Sequence, residues 1–227
     1  MRVAAAASTL DGVSGHVVIT GGKGGLGRKL AAAFADAGHE VLAPGRSELD
    51  VADGAAVKEY FKAREVELLI CNAGLTRDTL LGKLAEEDWD KVMAVNLRGA
   101  ALCAAAASRG MIRARSGHIV FISSHSAIHP PPGQAAYAAA KAGLIGLGKS
   151  LAKELGPAGV RVNMVLPGFL ETPMTSGLSE ERQEHVRREH VLERFNTAEA
   201  VAQFLVTLHE RMPHTAGQVF RLDSRIG

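Results

Sequence analysis

Short runs of apolar, often β-branched residues alternate along the chain with longer stretches in which apolar residues recur every three to four positions. The short runs predict strands at residues 16–20, 40–43, 67–70, 118–122, 160–166 and 218–222. The longer stretches predict helices at residues 26–37, 53–64, 86–115, 135–155 and 196–211. This alternation predicts an α/β domain whose mainly parallel sheet is covered by helices on both faces.

Two places along this pattern carry more detail. Asn196 is predicted as a helix N-cap because Glu199 follows it three residues later, as in a capping box. After the second strand, only residues 44–48 precede the next apolar run at residues 49–51. A parallel crossover usually needs a dozen or more residues. We therefore expect the helix after the second strand to be missing, the third strand to be vestigial, and the sheet to hold six or seven strands.

The composition is that of an ordinary globular domain. The chain has 227 residues, a formal net charge of +2 and 4% aromatic residues, which argues against a nucleic-acid partner. No stretch approaches the about 20 apolar residues of a membrane span. We expect residues 1–14 to be a flexible leader, residues 15–227 to form one catalytic domain, and the protein to be cytoplasmic. Cys71 and Cys103 do not form a CxxC pair, so we expect buried thiols and no metal site.

A glycine-rich segment, residues 20–27, connects the first strand to the first helix and reads TGGKGGLG. Residues without a Cβ let the backbone approach a pyrophosphate closely, and the helix N-terminus offers free N–H groups to phosphates. Glycines also make simple turns, but the position at the first strand-to-helix junction favours a dinucleotide site. The spacing, TGxxxGxG, differs from GxGxxG.

Five further motifs follow in chain order: Asn72-Ala73-Gly74 after a strand, Asn96 in a helix, Ser124 at a strand end, Tyr137 and Lys141 spaced as YxxxK, and Pro167-Gly168 after a strand. With the glycine segment, they give the chain a resemblance to the short-chain dehydrogenase/reductase family over about residues 15–223. Residues 137–144 and 167–172 are most similar to the branch that reduces 3-oxoacyl thioesters. The resemblance implies a Rossmann-type doubly wound fold and hydride transfer between a nicotinamide and a carbonyl or secondary alcohol.

Tyr137 and Lys141 lie four residues apart on a predicted helix and so share a face. A tyrosine has a pKa near 10, and a nearby ammonium lowers that pKa toward useful acid/base catalysis. An exposed amphipathic pair is the alternative interpretation of this spacing.

The family resemblance also implies roles for two other polar residues. Ser124 lies thirteen residues before Tyr137, which favours it over Ser123 and Ser126 as the group that hydrogen-bonds the substrate oxygen. Asn96 would hold a water in a proton relay through Lys141, which would also bind the nicotinamide ribose. The alternatives are a strand-end cap for Ser124 and a turn or helix-bending residue for Asn96.

The end of the second strand bears on the choice of nicotinamide. Sites that prefer NAD usually carry an acid there, whereas this chain has Arg46, and Lys23 adds positive charge. We expect NADP, with NAD as the alternative, because Glu48 lies close by and Arg46 also fits a solvated loop. Asp50 and Val51 resemble the family's pair that contacts adenine. The predicted nucleotide-binding residues are Gly21, Lys23, Gly25, Leu26, Gly27, Arg46, Asp50, Val51, Asn72, Ala73, Gly74, Tyr137, Lys141, Pro167, Gly168, Leu170 and Thr172.

On the substrate side, the resemblance implies a lid at about residues 175–194, a small carbonyl or alcohol substrate, and a homodimer or homotetramer. The lid is highly charged, which indicates a solvated face or a basic rim at Arg187 and Arg188. Relatives that bind an acyl carrier have basic residues where this chain has His118 and Ser176, which argues against a carrier-protein partner.

Two other functions compete with an NADP-dependent carbonyl reductase. A nucleotide-sugar epimerase or reductase would need a longer C-terminal region than the about 55 residues that follow Thr172. A catalytically silent dinucleotide sensor would be expected to lose the tyrosine, lysine or serine, and all are present. The sequence therefore favours the reductase.

Overall fold

The computed structural model describes residues 15–171 and 179–226. In chain order the strands and helices are β1 (His16–Ile19), α1 (Gly25–Asp36), β2 (Val41–Leu42), α2 (Gly54–Lys62), β3 (Val66–Cys71), α3 (Glu86–Met93), α4 (Gly99–Ala114), β4 (Gly117–Ile122), α5 (Ala135–Leu155), β5 (Val160–Leu166), α6 (Glu180–Arg188), α7 (Ala198–Arg211) and β6 (Val219–Arg221). The predicted leader, Thr172 and Ser176 lie outside the described residues. Among the helices described, none is long and apolar enough to cross a bilayer.

The six strands form one parallel sheet in the order β2-β1-β3-β4-β5-β6. This arrangement confirms the predicted Rossmann-type α/β fold. The chain reverses its direction of winding between β1 and β3, since β2 lies on one side of β1 and every later strand lies on the other. Ligands of doubly wound sheets bind at such a switch point, beyond the carboxyl ends of the strands.

Apolar side chains cover both faces of the sheet. On one face, residues of α2, α4 and α5 pack against the strands around Phe121 and Met164, and on the other, α1 and α7 pack around Ile70 and Val165. Removing this apolar surface from water is the main force that stabilises the fold. Cys71 and Cys103 lie in the first of these cores, so the expectation of buried thiols is confirmed. Burial raises the pKa of the Cys103 thiol to about 12.

The expected gap after β2 is present. β2 has only two residues, and no helix lies between it and α2. Residues 49–51 form no strand, so the sheet has six strands and the vestigial seventh is absent from the described chain. Leu49 and Val51 are buried against the α2 and α4 side of the core. Their burial explains why this segment has an apolar pattern without being a strand.

Helix boundaries differ from the predictions at three places. The N-cap of α7 is Thr197, whose side chain accepts from Ala200 N, and the predicted N-cap Asn196 instead donates to the carbonyl oxygens that follow β5 and β6. The predicted helix 86–115 is divided into α3 and α4 by a π-helical segment, Ala94–Arg98. The charged stretch after residue 179 forms α6, which Ser179 caps.

A polar network lies near the amino ends of the strands, on the opposite side of the sheet from their carboxyl ends. Glu67 Oε1 lies 2.9 Å from His39 Nδ1 and 3.3 Å from His209 Nε2, and Glu210 Oε1 lies 3.1 Å from His39 Nε2. His118 is completely buried here. It therefore cannot belong to a docking surface, and the argument that its lack of charge disfavours a carrier protein is wrong.

Asn163 determines which histidine ring nitrogens in this network donate and which accept hydrogen bonds. The orientation of its side-chain amide is fixed by a backbone donor at 3.1 Å and a backbone acceptor at 2.9 Å. Its Nδ2 faces His118 Nε2, which must therefore accept, so His118 Nδ1 donates to His209 Nδ1. His209 Nε2 then carries a proton toward Glu67. The ligand atoms of His39, Glu67 and His209 lie within 4.8 Å of one another, close enough to surround a metal ion. We interpret the cluster as a hydrogen-bond network in which His209 Nε2 donates to Glu67.

This network makes stability depend on pH. Burial raises the pKa of Glu67, but the hydrogen bond and electrostatic attraction of His209, together with those of His39, outweigh burial and hold the pKa below its usual value. Such a carboxyl stabilises the fold above its unfolded-state pKa, and that stabilisation is lost as pH falls through the folded-state pKa. We expect Glu67→Gln to lower the free energy of unfolding by about 1–3 kcal/mol at neutral pH and to flatten its decline in acid.

Chemical denaturation at neutral and acidic pH measures this difference. Glu65→Gln is the matched control because Glu65 is exposed on the same approach to β3, and this variant should unfold as the wild type does. Identical unfolding curves for Glu67→Gln and the wild type at both pH values would contradict the role given to the network.

Candidate functional site

A cavity of about 1340 Å³ opens at the carboxyl ends of β1, β3, β4 and β5. Fifteen of the residues predicted from the sequence line it: Gly21, Lys23, Gly25, Leu26, Gly27, Arg46, Asn72, Ala73, Gly74, Ser124, Tyr137, Lys141, Pro167, Gly168 and Leu170. Asp50, Val51 and Asn96 do not line it. The structure therefore brings the glycine segment and the Ser-Tyr-Lys set together at one site.

Two glycines of this segment, Gly21 and Gly27, leave no room for a side chain. Gly21 has a φ of +65°, and a Cβ there would lie 2.8 Å from Ala73 Cα. A Cβ on Gly27 would lie 2.4 Å from the carbonyl oxygen of Gly21. Helix α1 begins within this segment, at Gly25, with Gly24 as an N-cap that offers no side chain and with no acidic residue in the first turn. Its first N–H groups thus face the cavity side of the loop, and the cradle fits the pyrophosphate of a dinucleotide.

Asn72 and Thr20 tie the ends of β1 and β3 together. Thr20 Oγ1 accepts hydrogen bonds from the backbone N–H groups of Asn72 and Ala73, both at 3.1 Å. Asn72 Nδ2 donates to the carbonyl oxygens of Thr20 and Gly21 at 3.1 and 3.2 Å. Asn72 therefore lines the cavity while its amide holds the glycine segment in place.

The tip of β2 presents positive charge to the cavity. Lys23 and Arg46 line the cavity, as does Arg28 from α1, and the side chain of Arg46 is 85% exposed. Glu48 does not line it: its carboxylate accepts from Gly45 N at 2.7 Å and lies 3.8 Å from Lys23 Nζ. This backbone contact explains why an acidic residue follows the arginine at the tip of the strand.

The adenine-contacting pair predicted from the family is not placed at the cavity. Asp50 accepts from the backbone of Ala52 at 3.0 Å and from Arg46 Nε at 3.3 Å. Val51 is buried, and a Cβ on Gly99 would approach its Cγ2 to 2.8 Å. Because the segment is shortened, these two residues serve a turn and the core.

Ser124, Tyr137 and Lys141 meet where β4 and α5 adjoin. The hydroxyl group of Ser124 lies close enough to Tyr137 to lower the pKa of its phenol. Lys141 is buried, donates from Nζ to the carbonyl oxygen of Ile122 at 2.8 Å, and lies 5.6 Å from the centroid of the Tyr137 ring. Serine, phenol and ammonium groups are thus fixed around one point of the cavity.

The expected lowering of the tyrosine pKa is not found. Burial raises the pKa of Tyr137, the Ser124 hydrogen bond lowers it, and the negative charge of Asp78 raises it further. Burial also lowers the pKa of Lys141 to about 8, with Cys71 acting in the opposite direction. Desolvation of both groups was not visible from their spacing along the helix, and for Tyr137 it is the largest cause of the shift.

Asn96 lies behind the cavity, within the π-helical segment. Its Nδ2 donates to the carbonyl oxygens of Leu75 and Val92, both at 2.9 Å, and its Oδ1 accepts from Leu75 N at 3.2 Å. A Cβ on Gly74 would lie 2.7 Å from this Oδ1. The side chain therefore fixes the loop after β3. The position of Asn96 within the π-helical segment fits the alternative interpretation of Asn96 as a helix-bending residue. The water-holding role that the family resemblance implies for Asn96 stays a prediction.

Sequence reasoning missed much of the substrate side of the cavity, which is lined by Thr76, Asp78, His125, Ser126, Ile128, His129, Gln134, Phe169, Arg182, His185, Val186, Glu189, Arg225 and Ile226. Two of these had a signal in the sequence: Asp78 follows Gly74 by four residues, and Gln134 precedes Tyr137 by three. The residues of α6 lie within the lid that the family resemblance implied at about residues 175–194, whereas the last segment had no signal because no pattern predicted where it folds back.

The last described residues bring charge to the mouth of the cavity. Arg225 donates to Asp223 Oδ2 from Nη2 at 2.6 Å and lies 3.8 Å from Glu189 on the α6 side. His125 Nδ1 lies 3.6 Å from the same Asp223 oxygen. Burial, with the charge of Arg225, lowers the pKa of His125 to about 4, although Asp223 opposes this shift. His125 is thus neutral beside the candidate catalytic serine at neutral pH.

The proposed basic rim is not at the cavity. Glu184 Oε2 pairs with Arg187 at 2.7 Å and its Oε1 pairs with Arg188 at 3.1 Å. The guanidinium of Arg187 also stacks over Phe195 at 5.1 Å from the ring centroid. These contacts support the solvated-face interpretation for both arginines.

Comparison with known proteins defines the class of this protein. A family model described as enoyl-(acyl carrier protein) reductase matches residues 4–224. Together with the relatives below, this match shows that the chain belongs to the short-chain dehydrogenase/reductase family, and the protein is an oxidoreductase of that family.

The relatives point to one branch. The 3-oxoacyl-(acyl-carrier-protein) reductase FabG of Thermotoga maritima is 38% identical over an alignment of 233 positions. The alignment covers 91% of this chain and 95% of that protein. The 3-oxoacyl-(acyl-carrier-protein) reductase MabA of Mycobacterium tuberculosis is 38% identical over an alignment of 231 positions. The alignment covers 95% of this chain and 94% of that protein. A crystal structure titled as ribose-5-phosphate isomerase from Brucella melitensis 16M superposes with a TM-score of 0.86 at 30% identity, covering 93% of this chain and 91% of that one.

Proposed function

We propose that this protein reduces the ketone of 3-oxoacyl thioesters with NADPH as the hydride donor. The observation that carries the proposal is that Ser124, Tyr137 and Lys141 line the same cavity as the glycine cradle. Two hydroxyl donors beside one point suit a carbonyl oxygen that becomes an alkoxide. A bound nicotinamide supplies the hydride.

In this mechanism, Ser124 hydrogen-bonds the carbonyl oxygen and Tyr137 protonates it as negative charge develops. The raised pKa of Tyr137 keeps the phenol protonated at neutral pH, as a general acid requires. Lys141 lies close to the tyrosine ring, so its positive charge stabilises the phenolate that remains after proton transfer. The same groups catalyse alcohol oxidation in reverse, with Tyr137 accepting the proton.

NADP is favoured by charge at the tip of β2. Lys23 and Arg46 line the cavity there, while Glu48 is held by the backbone of Gly45. A ribose phosphate bound at this tip would meet a guanidinium that is 85% exposed and able to reorient from Asp50. The hydroxyl groups of an NAD ribose would find no acid lining the cavity at the tip.

Arg46→Ala should weaken NADPH binding about 10- to 100-fold, the range expected when a hydrogen bond to a charged group is lost. Its affinity for NADH should stay unchanged, because NADH lacks the phosphate. Titration followed by cofactor fluorescence measures both constants on one protein sample, and NADH serves as the internal control. Equal weakening for both nucleotides would contradict a phosphate contact and redirect the search toward NAD-dependent oxidation.

The substrate class is proposed from the relatives, whose names specify 3-oxoacyl groups, and from the cavity. Ile128, Phe169 and Val186 line its substrate side and offer apolar surface to an acyl chain. Turnover of a 3-oxoacyl thioester should be compared with turnover of the matched enoyl thioester, because the family model carries the description of an enoyl reductase. Reduction of the enoyl thioester alone would overturn the proposal.

A carrier protein as the thioester's bearer is part of this proposal, since His118 no longer argues against it. The homodimer or homotetramer and the cytoplasmic location stay predictions. Neither the epimerase nor the silent-sensor alternative is favoured by a feature of the site.

A further inference from the structure

A chain of hydrogen bonds leads from the loop after β3 to the candidate catalytic serine. The carboxylate of Asp78 accepts from Gln134 Nε2 at 2.7 Å. Gln134 Oε1 accepts from Ser126 Oγ at 2.8 Å, and the backbone N–H of Ser126 donates to Ser124 Oγ at 3.2 Å. A surface carboxylate is thus connected, through two side chains and a turn, to the hydroxyl group that faces Tyr137.

The donors and acceptors of this chain can be arranged in only one direction. A carboxylate only accepts, so Asp78 fixes the Gln134 amide with its NH₂ toward the carboxylate and its oxygen toward Ser126. Ser126 then gives its single hydroxyl hydrogen to Gln134. Ser124 Oγ accepts from the Ser126 backbone with one lone pair, and its own hydrogen is available to the oxygen of Tyr137 or of a substrate.

The Gln134 side chain makes no other hydrogen bond in the part of the chain that the structure describes. Gln134 is the N-cap residue of α5, yet its side chain makes no capping hydrogen bond. The neighbouring backbones are already joined by a hydrogen bond from Thr79 N to Gly133 O at 2.8 Å. The loop after β3 and the start of α5 are therefore held together without the Gln134 amide, which is free to serve Ser126.

We propose that Gln134 is a positioning residue for the reduction: oriented by Asp78, it holds the turn at Ser126 so that Ser124 Oγ presents its hydrogen to the reacting oxygen. This inference rests on the proposed function of the site and adds specific residues to it.

Kinetics of three variants test the connection. Gln134→Leu and Ser126→Ala should each lower kcat about tenfold, because each removes one link, and should leave KM for NADPH unchanged, because neither touches the nucleotide cradle. The double variant should be no slower than either single one, since both act through the same chain. Arg77→Ala is the matched control: it lies beside Asp78 but pairs with Asp88 at 3.3 Å, so its kcat should equal that of the wild type.

Gln134→Glu gives a signature that a merely structural role would not produce. A protonated glutamic acid donates to Asp78 and accepts from Ser126 as glutamine does, whereas a glutamate repels the Asp78 carboxylate. The ratio of the variant's kcat to that of the wild type should therefore rise as pH is lowered from about 8 to about 5.5, because repulsion by Asp78 raises the carboxyl pKa. The same ratio for Gln134→Leu should stay flat.

Tyrosine absorbance tests the chain without turnover. The protein has two tyrosines, so in a Tyr60→Phe background only Tyr137 titrates. The charged groups that face it are Asp78, from the loop after β3, and Lys141, one turn along α5. Asp78→Asn should lower the pKa of Tyr137 by removing a negative charge, and Gln134→Leu should raise it by releasing the Ser124 hydroxyl.

These readouts separate two failures. A wild type that does not reduce 3-oxoacyl thioesters, but shows both opposite shifts of the Tyr137 titration, would overturn the proposed substrate and support the chain. Additive losses in the double variant, a flat ratio for Gln134→Glu, or an unshifted titration in both variants would overturn the positioning role of Gln134.

Discussion

Tyr137→Phe is expected to lower kcat by about 10²- to 10⁴-fold, the usual contribution of a positioned general acid. The variant loses only the hydroxyl that Ser124 contacts, so no proton donor remains at the position of the developing alkoxide. Affinity for NADPH should change little, because the glycine cradle and the positive charge at the tip of β2 are untouched. Steady-state kinetics and a fluorescence titration on the same sample separate the two effects.

Tyr60→Phe is the matched control for this variant. Tyr60 is the other tyrosine of the chain, and it packs against Phe61 and Arg64 on α2, away from the cavity. Its removal should leave kcat unchanged. If Tyr137→Phe kept a wild-type rate, the acid/base role assigned to Tyr137 would be wrong.

Gly27→Ala should abolish detectable dinucleotide binding at concentrations that saturate the wild type. The added Cβ would lie 2.4 Å from Gly21 O and 2.8 Å from Gly22 Cα, and both of these are backbone atoms of the cradle. The loop must shift outward into the space that the pyrophosphate needs. Overpacking of this kind also costs about 1–3 kcal/mol of stability. NADPH titration and thermal unfolding measure the two consequences.

Gly146→Ala is the control for an added methyl group, since a Cβ there has no neighbour within 4 Å. It should bind NADPH as the wild type does. Unchanged NADPH affinity in Gly27→Ala would mean that the nucleotide does not lie on this segment, and the cofactor assignment would have to be abandoned.

Features of the fold that depend on local pattern were predictable. Apolar runs gave the positions of the six strands, and the short spacing after the second strand indicated the missing helix. Residues 49–51 show the limit of this reasoning, because an apolar pattern identifies burial and does not distinguish a strand from a turn packed on the core. The N-cap of α7 lies one residue after the predicted position. Asn196 instead donates hydrogen bonds to carbonyl oxygens at the ends of β5 and β6, which are distant in sequence.

The part of the candidate site that consists of motif residues was predictable from the sequence. The part that depends on how distant segments pack together was not. The glycine segment, Ser124, Tyr137 and Lys141 converge as their motifs suggested. Arg187 and Arg188 do not reach the cavity, since Glu184 on the same helix engages them both.

Long-range contacts account for what was missed. The raised pKa of Tyr137 depends on burial and on the distant carboxylate of Asp78, which spacing along a helix cannot report. Gln134 lies three residues before Tyr137 in the sequence. Its hydrogen-bond partners Asp78 and Ser126 belong to two other segments, so the sequence pattern does not reveal these contacts.

The most direct test of the account is the transfer of label from NADPH deuterated at the carbon that carries the transferable hydride. The wild-type protein would be mixed with this NADPH and a 3-oxoacyl thioester, and the product analysed by mass spectrometry. The account predicts one deuterium on the carbon that bears the new hydroxyl group, formed at the rate of NADPH consumption. A product without deuterium on that carbon, or no product from a protein that binds NADPH, would contradict it.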